Sequence, residues 1–182
     1  MRLDKAVQAV AAAIVIVVTV GVFGVSTRAA AAQQAQTLIY AVYPGQDTAS
    51  QVLKTMQSAQ GPTTGERIHS YAVVSKDLAG KVTVRDQRKR DAGIGAVLGG
   101  VIGLVGGPLG VAAGAAAGGS VGYLTGDAVG IPRDKVESMK ESLTPDSSAL
   151  VVVLDDLWVK DVEHDLNQAN ARAVIASKIA GK

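Results

Sequence analysis

Cysteine is absent from the 182-residue chain, which excludes disulfides, thiolate metal sites and cysteine nucleophiles. Aromatic residues make up only 3%, while hydrophobic residues reach 48% and glycine is present 21 times. Soluble cores take much of their buried area from rings. Here the apolar character comes from Ala, Val, Ile and Leu, a mixture suited to close helix packing in lipid. The formal net charge of +2 is too small to argue for a nucleic-acid partner. Neither histidine, His69 or His164, stands beside a nucleophile pattern, so Ser-His-Asp chemistry has no support. These shortages predict a protein that is not an enzyme, with no cofactor and no small-molecule substrate.

The N-terminus begins with Arg2 and Lys5 ahead of an uncharged stretch, Ala6 to Thr27. Its length suffices to cross the hydrocarbon core of a bilayer. The same stretch also has the parts of a signal peptide, with small residues at Ala30 and Ala32 before Gln33. Two readings therefore stand: a retained anchor over 1–28 with a linker over 29–36, or a cleaved export signal.

Beyond the linker, Leu38 to Tyr43 reads as a strand stopped by Pro44-Gly45. Thr48-x-x-Gln51 has the capping-box spacing, and Ala49, Val52, Leu53 and Met56 share one helical face. Ser70–Val74 and Lys81–Arg85 read as two strands joined around Asp77–Gly80. Pro132 suits the first turn of a further helix carrying Val136, Met139 and Leu143, ended by Thr144-Pro145. The run Leu150–Leu154 is continuously apolar, as in a strand buried on both faces. Asp155 or Asp156 is placed to cap a last helix aligned on Val159, Val162 and Leu166, and Ala173–Ile175 forms a short final strand. The expected class is α+β: a ferredoxin-like βαββαβ order with an αβ tail over 37–182, its helices on one face of a mainly antiparallel sheet.

Inserted in that order is an uncharged segment from Ala92 to Gly126, within a hairpin over 92–130. One glycine series runs Gly95, Gly99, Gly103, Gly107; a second runs Gly106, Gly110, Gly114, Gly118, Gly122, Gly126 and Gly130. Four-residue spacing lays each series along one stripe of a helix. Every interior glycine costs roughly 0.5–1 kcal/mol relative to alanine, and close backbone approach between helices is the compensating gain. Gly106-Gly107-Pro108 divides the hairpin into arms near 93–106 and 109–126, roughly 21 and 27 Å long, both short of a ~30 Å hydrocarbon core. Gly93-x-Gly95-x-x-x-Gly99 superficially suggests phosphate binding. However, the charged run Arg85–Asp91 separates these glycines from the preceding strand, whereas phosphate-binding glycines occupy the turn itself.

The strand, the Asp77–Gly80 turn, the basic stretch, the glycine hairpin, a helix and Ser147-Ser-Ala-Leu-Val-Val-Val153 occur in the order found in a bacterial domain-of-unknown-function family. The chain resembles that family over about 37–182. The resemblance implies an uncharacterised membrane or stress-related protein with this fold and assigns no activity.

Arg85, Arg88, Lys89 and Arg90 precede the hairpin and Arg133 follows it, which suggests a cluster holding anionic lipid head groups. Positive-inside reasoning places both these residues and the N-terminus in the cytoplasm, two demands that one spanning helix cannot meet together. Asp155, Asp156, Asp161, Glu163, His164 and Asp165 form an acidic group that reads as helix N-terminal decoration rather than a metal site. Trp158 reads as a packing residue or interfacial anchor. The expectation is a membrane-located homo-oligomer that packs through the glycine stripes against lipid and its own copies. An exported, periplasmic or extracellular binding or assembly module is the alternative.

Overall fold

A computed structural model describes residues 35–58, 67–89, 92–107, 110–111, 114–115 and 130–179. Of the two units into which the chain divides, 1–33 and 34–182, all of these belong to the second. The N-terminal signal or anchor segment lies outside the described residues, as do Arg90, Gly118, Gly122 and Gly126.

Among the described residues, the elements run β1 (Gln36–Pro44), α1 (Thr48–Ser58), β2 (Ile68–Lys76), β3 (Val82–Arg88), α2 (Ala92–Val105), α3 (Arg133–Ser142), β4 (Ser147–Asp155), α4 (Val159–Gln168) and β5 (Ala173–Ile179). The strands form one antiparallel sheet in the order β3-β2-β4-β1-β5. The class is therefore α+β, as expected. The strand order differs from the expectation, which seats β3 beside β1. In the structure β3 is an edge strand paired only with β2, and β4 stands between β1 and β2. Hydrophobicity explains the exchange. Every residue of β4 from Ser147 to Leu154 is buried, whereas only Val82 of β3 is. A strand apolar on both faces belongs at the centre of a sheet, and a charged one at its rim.

The helices occupy both faces rather than one. Leu38, Tyr40, Val42, Val151 and Val153 pack on one side with Leu98, Ile102 and Met139 of α2 and α3. Ile39, Tyr43, Leu150, Val152 and Leu154 pack on the other with Leu53 of α1 and Leu166 of α4. Alternate residues of a strand point to opposite faces. The unbroken apolar runs of β1 and β4 thus need a helical layer on each side, which one layer cannot supply.

Local chemistry sets the boundaries. Gly80, at φ +83, closes the β2–β3 turn, where Asp77 accepts from the backbone N–H groups of Gly80 and Lys81 at 3.0 and 2.8 Å. The capping-box spacing of α1 is not used. Thr48 instead turns its hydroxyl back to the Pro44 carbonyl at 2.5 Å. The N–H of Ala49 donates to Ser148 Oγ of β4 at 3.0 Å, and that hydroxyl donates on to the Gly45 carbonyl at 2.7 Å. A residue about a hundred positions away thus caps the helix. Because Ser148 is fully buried, Ser148→Ala should cost about 1–2 kcal/mol, the worth of a lost cap, read as a lower denaturation midpoint with an unchanged m-value.

Candidate functional site

The glycine hairpin is where the sequence departs furthest from an ordinary domain. α2 ends where Gly107 adopts φ +61, as the Gly106-Gly107-Pro108 break predicts. The described residues of the returning arm, Gly110, Val111, Gly114 and Ala115, are helical. The arms meet backbone to backbone: a Cβ added to Gly114 would lie 2.5 Å from the Gly99 carbonyl oxygen and 2.7 Å from the Gly103 nitrogen. One added to Gly110 would lie 2.9 Å from the Ile102 carbonyl oxygen. No side chain other than hydrogen fits there.

The first glycine series plays a different part from the second. A Cβ on Gly103 would meet nothing nearer than the Val111 Cα at 4.0 Å, and one on Gly95 would meet the flexible Lys89 chain at 3.1 Å. The returning arm therefore directs Gly110 and Gly114 at the α2 backbone, while α2 supplies the surface they lie on.

α2 itself is a core helix. Ile94, Leu98, Val101, Ile102 and Val105 are buried against the sheet. The apolar length that suggests lipid is here covered by protein. Among the described residues no helix is long and apolar enough to cross a membrane.

The basic residues expected to form one lipid-binding cluster are divided. Arg85 is the extra residue of a bulge opposite Val73 and Val74; it donates to Ser75 Oγ at 2.8 Å and lies 3.8 Å from Asp47, ahead of α1. Arg88 donates to the Ile68 carbonyl and stands 5.4 Å from the Tyr71 ring centroid. Tyr71 belongs to the face covered by α1 and α4, so the bulge turns Arg88, like Arg85, away from the hairpin. Lys89 alone lies along α2, beside Gly95. Arg133 is exposed in the first turn of α3.

Three members of the acidic group are likewise taken up pairwise, at the end of the sheet where β1 begins and β4 finishes. His69 Nε2 lies 2.8 Å from Asp155 Oδ1, with both side chains largely buried. Arg67 bonds Asp165 at 3.0 Å. Asp156 accepts from Thr37 Oγ1 at 2.5 Å and lies 2.9 Å from Lys178 Nζ. Neither Asp155 nor Asp156 gives a side-chain cap; a 3-10 turn, Asp156–Trp158, leads into α4 instead. His164 is exposed, and its Nε2 lies 2.6 Å from its helical neighbour Gln168. No group of three or more His, Asp or Glu residues able to hold a metal occurs among the described residues. The pairing of His69 with Asp155 is invisible in the sequence, because 86 positions separate them and only the β2–β4 ladder joins them. Burial raises the phenol pKa values of Tyr40 and Tyr43, so both rings stay neutral.

The Thr37 hydroxyl and the Lys178 ammonium hold the Asp156 carboxyl below its ordinary range. A folded value below the unfolded one adds stability above the unfolded value, and that stability is lost as pH falls through the folded value. Thr37→Val should raise the Asp156 midpoint toward an ordinary aspartate, measured by carbon-detected NMR titration. The acid-dependent loss of stability that Asp156 contributes should shrink accordingly.

Fold and site together define a class: a five-stranded antiparallel α+β domain with a glycine-rich helical hairpin laid over one face. Residues 92–182 match the model of the family described as a protein of unknown function, DUF1269; the chain belongs to that family. No curated protein and no solved structure matches it. The matched stretch holds β4 and β5, which do not pair with each other; β1, outside it, lies between them. The matched residues complete their sheet only with strands from upstream.

Proposed function

We propose that this is a non-enzymatic, membrane-associated protein, held by its N-terminal apolar segment, that self-associates by glycine-zipper helix packing. The supporting observation is the side-chain-free contact of Gly110 and Gly114 with the α2 backbone, a geometry that serves close helix association. In sequence the same series continues through Gly118, Gly122 and Gly126, a stripe suited to a second copy. Its role is assembly beside lipid, in the stress-related setting that the family resemblance implies. The domain is read as ferredoxin-like, with β1-α1-β2 and β4-α4-β5 as two interleaved split β-α-β units and the stretch from β3 to α3 inserted between them. The His69–Asp155 contact is read as structural.

Two measurements test this. Carbonate extraction of membranes should leave the full chain in the pellet; release into the supernatant removes the membrane reading. Sedimentation in detergent should show an oligomer that Gly118→Leu plus Gly122→Leu reduces to monomer. A wild-type monomer, or an oligomer indifferent to both leucines, removes the assembly reading.

A second reading is favoured by the burial of α2 against the sheet: an exported assembly module whose hairpin packs wholly within protein. A mature N-terminus at Gln33, found by mass spectrometry, selects it over an anchored chain beginning at Met1.

A further inference from the structure

The end of the sheet where β1 begins carries an apolar tip. Leu157, in the 3-10 turn after β4, is 79% exposed, and the half-buried Trp158 follows it. Such a pair is unusual on a domain this poor in rings; Trp158 is the single tryptophan of the chain. The carboxylates around the tip are largely occupied: Asp155 by His69, Asp156 by Thr37 and Lys178, Asp165 by Arg67. Asp161, exposed in the first turn of α4, and the half-buried Glu163 two residues on are acidic groups that oppose an anionic surface. Lys178, its side chain 79% exposed and paired with Asp156, stands at the same end.

The chain also enters the domain here, where Asp156 N–H donates to the Ala35 carbonyl at 3.1 Å. In the sequence, residues 28–34 separate Ala35 from the apolar stretch ending at Thr27. Such a spacer reaches at most ~28 Å when fully extended, so a domain tethered through it stays close to the bilayer, where a weak contact acts at high effective concentration. An exposed leucine beside an indole with an apolar body and a polar N–H matches the residues that settle at the head-group level of a membrane.

We infer that Leu157 and Trp158 form an interfacial anchor that lays this end of the domain on the lipid surface. The inference rests on the membrane reading above. Leu78 supplies an internal control: it is 78% exposed in the β2–β3 turn, at the opposite end of strands about 30 Å long.

The test uses the full chain in vesicles of phosphatidylcholine and phosphatidylglycerol, with Trp158 as the only indole. Lipids brominated at shallow acyl positions should quench its emission at least twofold. Leu157→Asp should abolish most of that quenching and shift the emission to the red, while Leu78→Asp leaves both unchanged. Both sites are exposed, so neither change should disturb folding. Chain that floats with vesicles but shows no quenching, or equal quenching in wild type and Leu157→Asp, overturns the anchor while leaving membrane association intact. Chain that does not float overturns both. Protection of Trp158 from iodide that rises with protein concentration in the absence of lipid assigns the tip to a second copy and overturns the anchor as well.

Discussion

Leu98→Ala is expected to destabilise the whole domain by about 2–5 kcal/mol, the range for truncating a buried leucine. Leu98 is 1% exposed and lies in the cluster that joins α2 and α3 to β1, β2 and β4. The alanine removes its contacts with the sheet and leaves a cavity that α2 cannot freely collapse into, because its backbone is held by the returning arm at Gly110 and Gly114. At about 2–4 °C per kcal/mol for a chain of this size, the thermal midpoint should fall by roughly 4–20 °C. Trp158 packs against the cluster on the other face of the sheet, so its fluorescence reports whether the loss is cooperative. An unchanged Trp158 transition would mean that α2 is an appendage whose natural surroundings are lipid or a partner, and would reverse the description of α2 as a core helix.

The glycines should divide by series rather than respond alike. Gly114→Ala places a methyl 2.5 Å from the Gly99 carbonyl oxygen and 2.9 Å from the Gly103 Cα, both backbone atoms. Neither can rotate away, so the arms must separate, at a cost of about 1–3 kcal/mol by analogy with overpacked cores. Gly95→Ala meets only the Lys89 chain, which can swing aside. There the helix propensity of alanine dominates and stability should rise by about 0.5–1 kcal/mol. Denaturant midpoints of the two variants should therefore move in opposite directions. Equal losses would show that both series bear on backbone, through a contact of α2 outside the hairpin.

Much of the local structure was legible. The strands around Leu38–Tyr43 and Leu150–Leu154 follow from apolar runs bounded by Pro and Gly, and the Asp77–Gly80 turn from its residues. The break after α2 follows from Gly106-Gly107, because a glycine that enters the left-handed region ends a helix wherever it stands. The caps misled. Thr48 and Asp155 or Asp156 satisfy the spacing rule for helix starts, yet Thr48 turns to Pro44, Asp155 to His69 and Asp156 to Thr37 and Lys178. A side chain near a helix start takes the best partner in three dimensions, and a sequence rule sees only neighbours along the chain. The basic run misled similarly: the bulge at Arg85 rotates the following residues relative to the strand's alternation, sending Arg88 to the face of Arg85 and Lys89 toward the other.

The sequence by itself determined the inventory: an apolar N-terminal segment, five strands, the helical faces, and glycine stripes able to let two helix backbones touch. These depend on periods of two, 3.6 and four residues, written locally. Only the tertiary structure decided which strand is central, that helices cover both faces, that α2 buries its apolar stripe on the sheet, and that His69 meets Asp155. Each of those depends on pairing between segments far apart in the chain. Apolar residues are indifferent to what excludes water from them, so lipid, a second copy and the protein's own sheet read alike in the sequence until the fold brings one of them into contact.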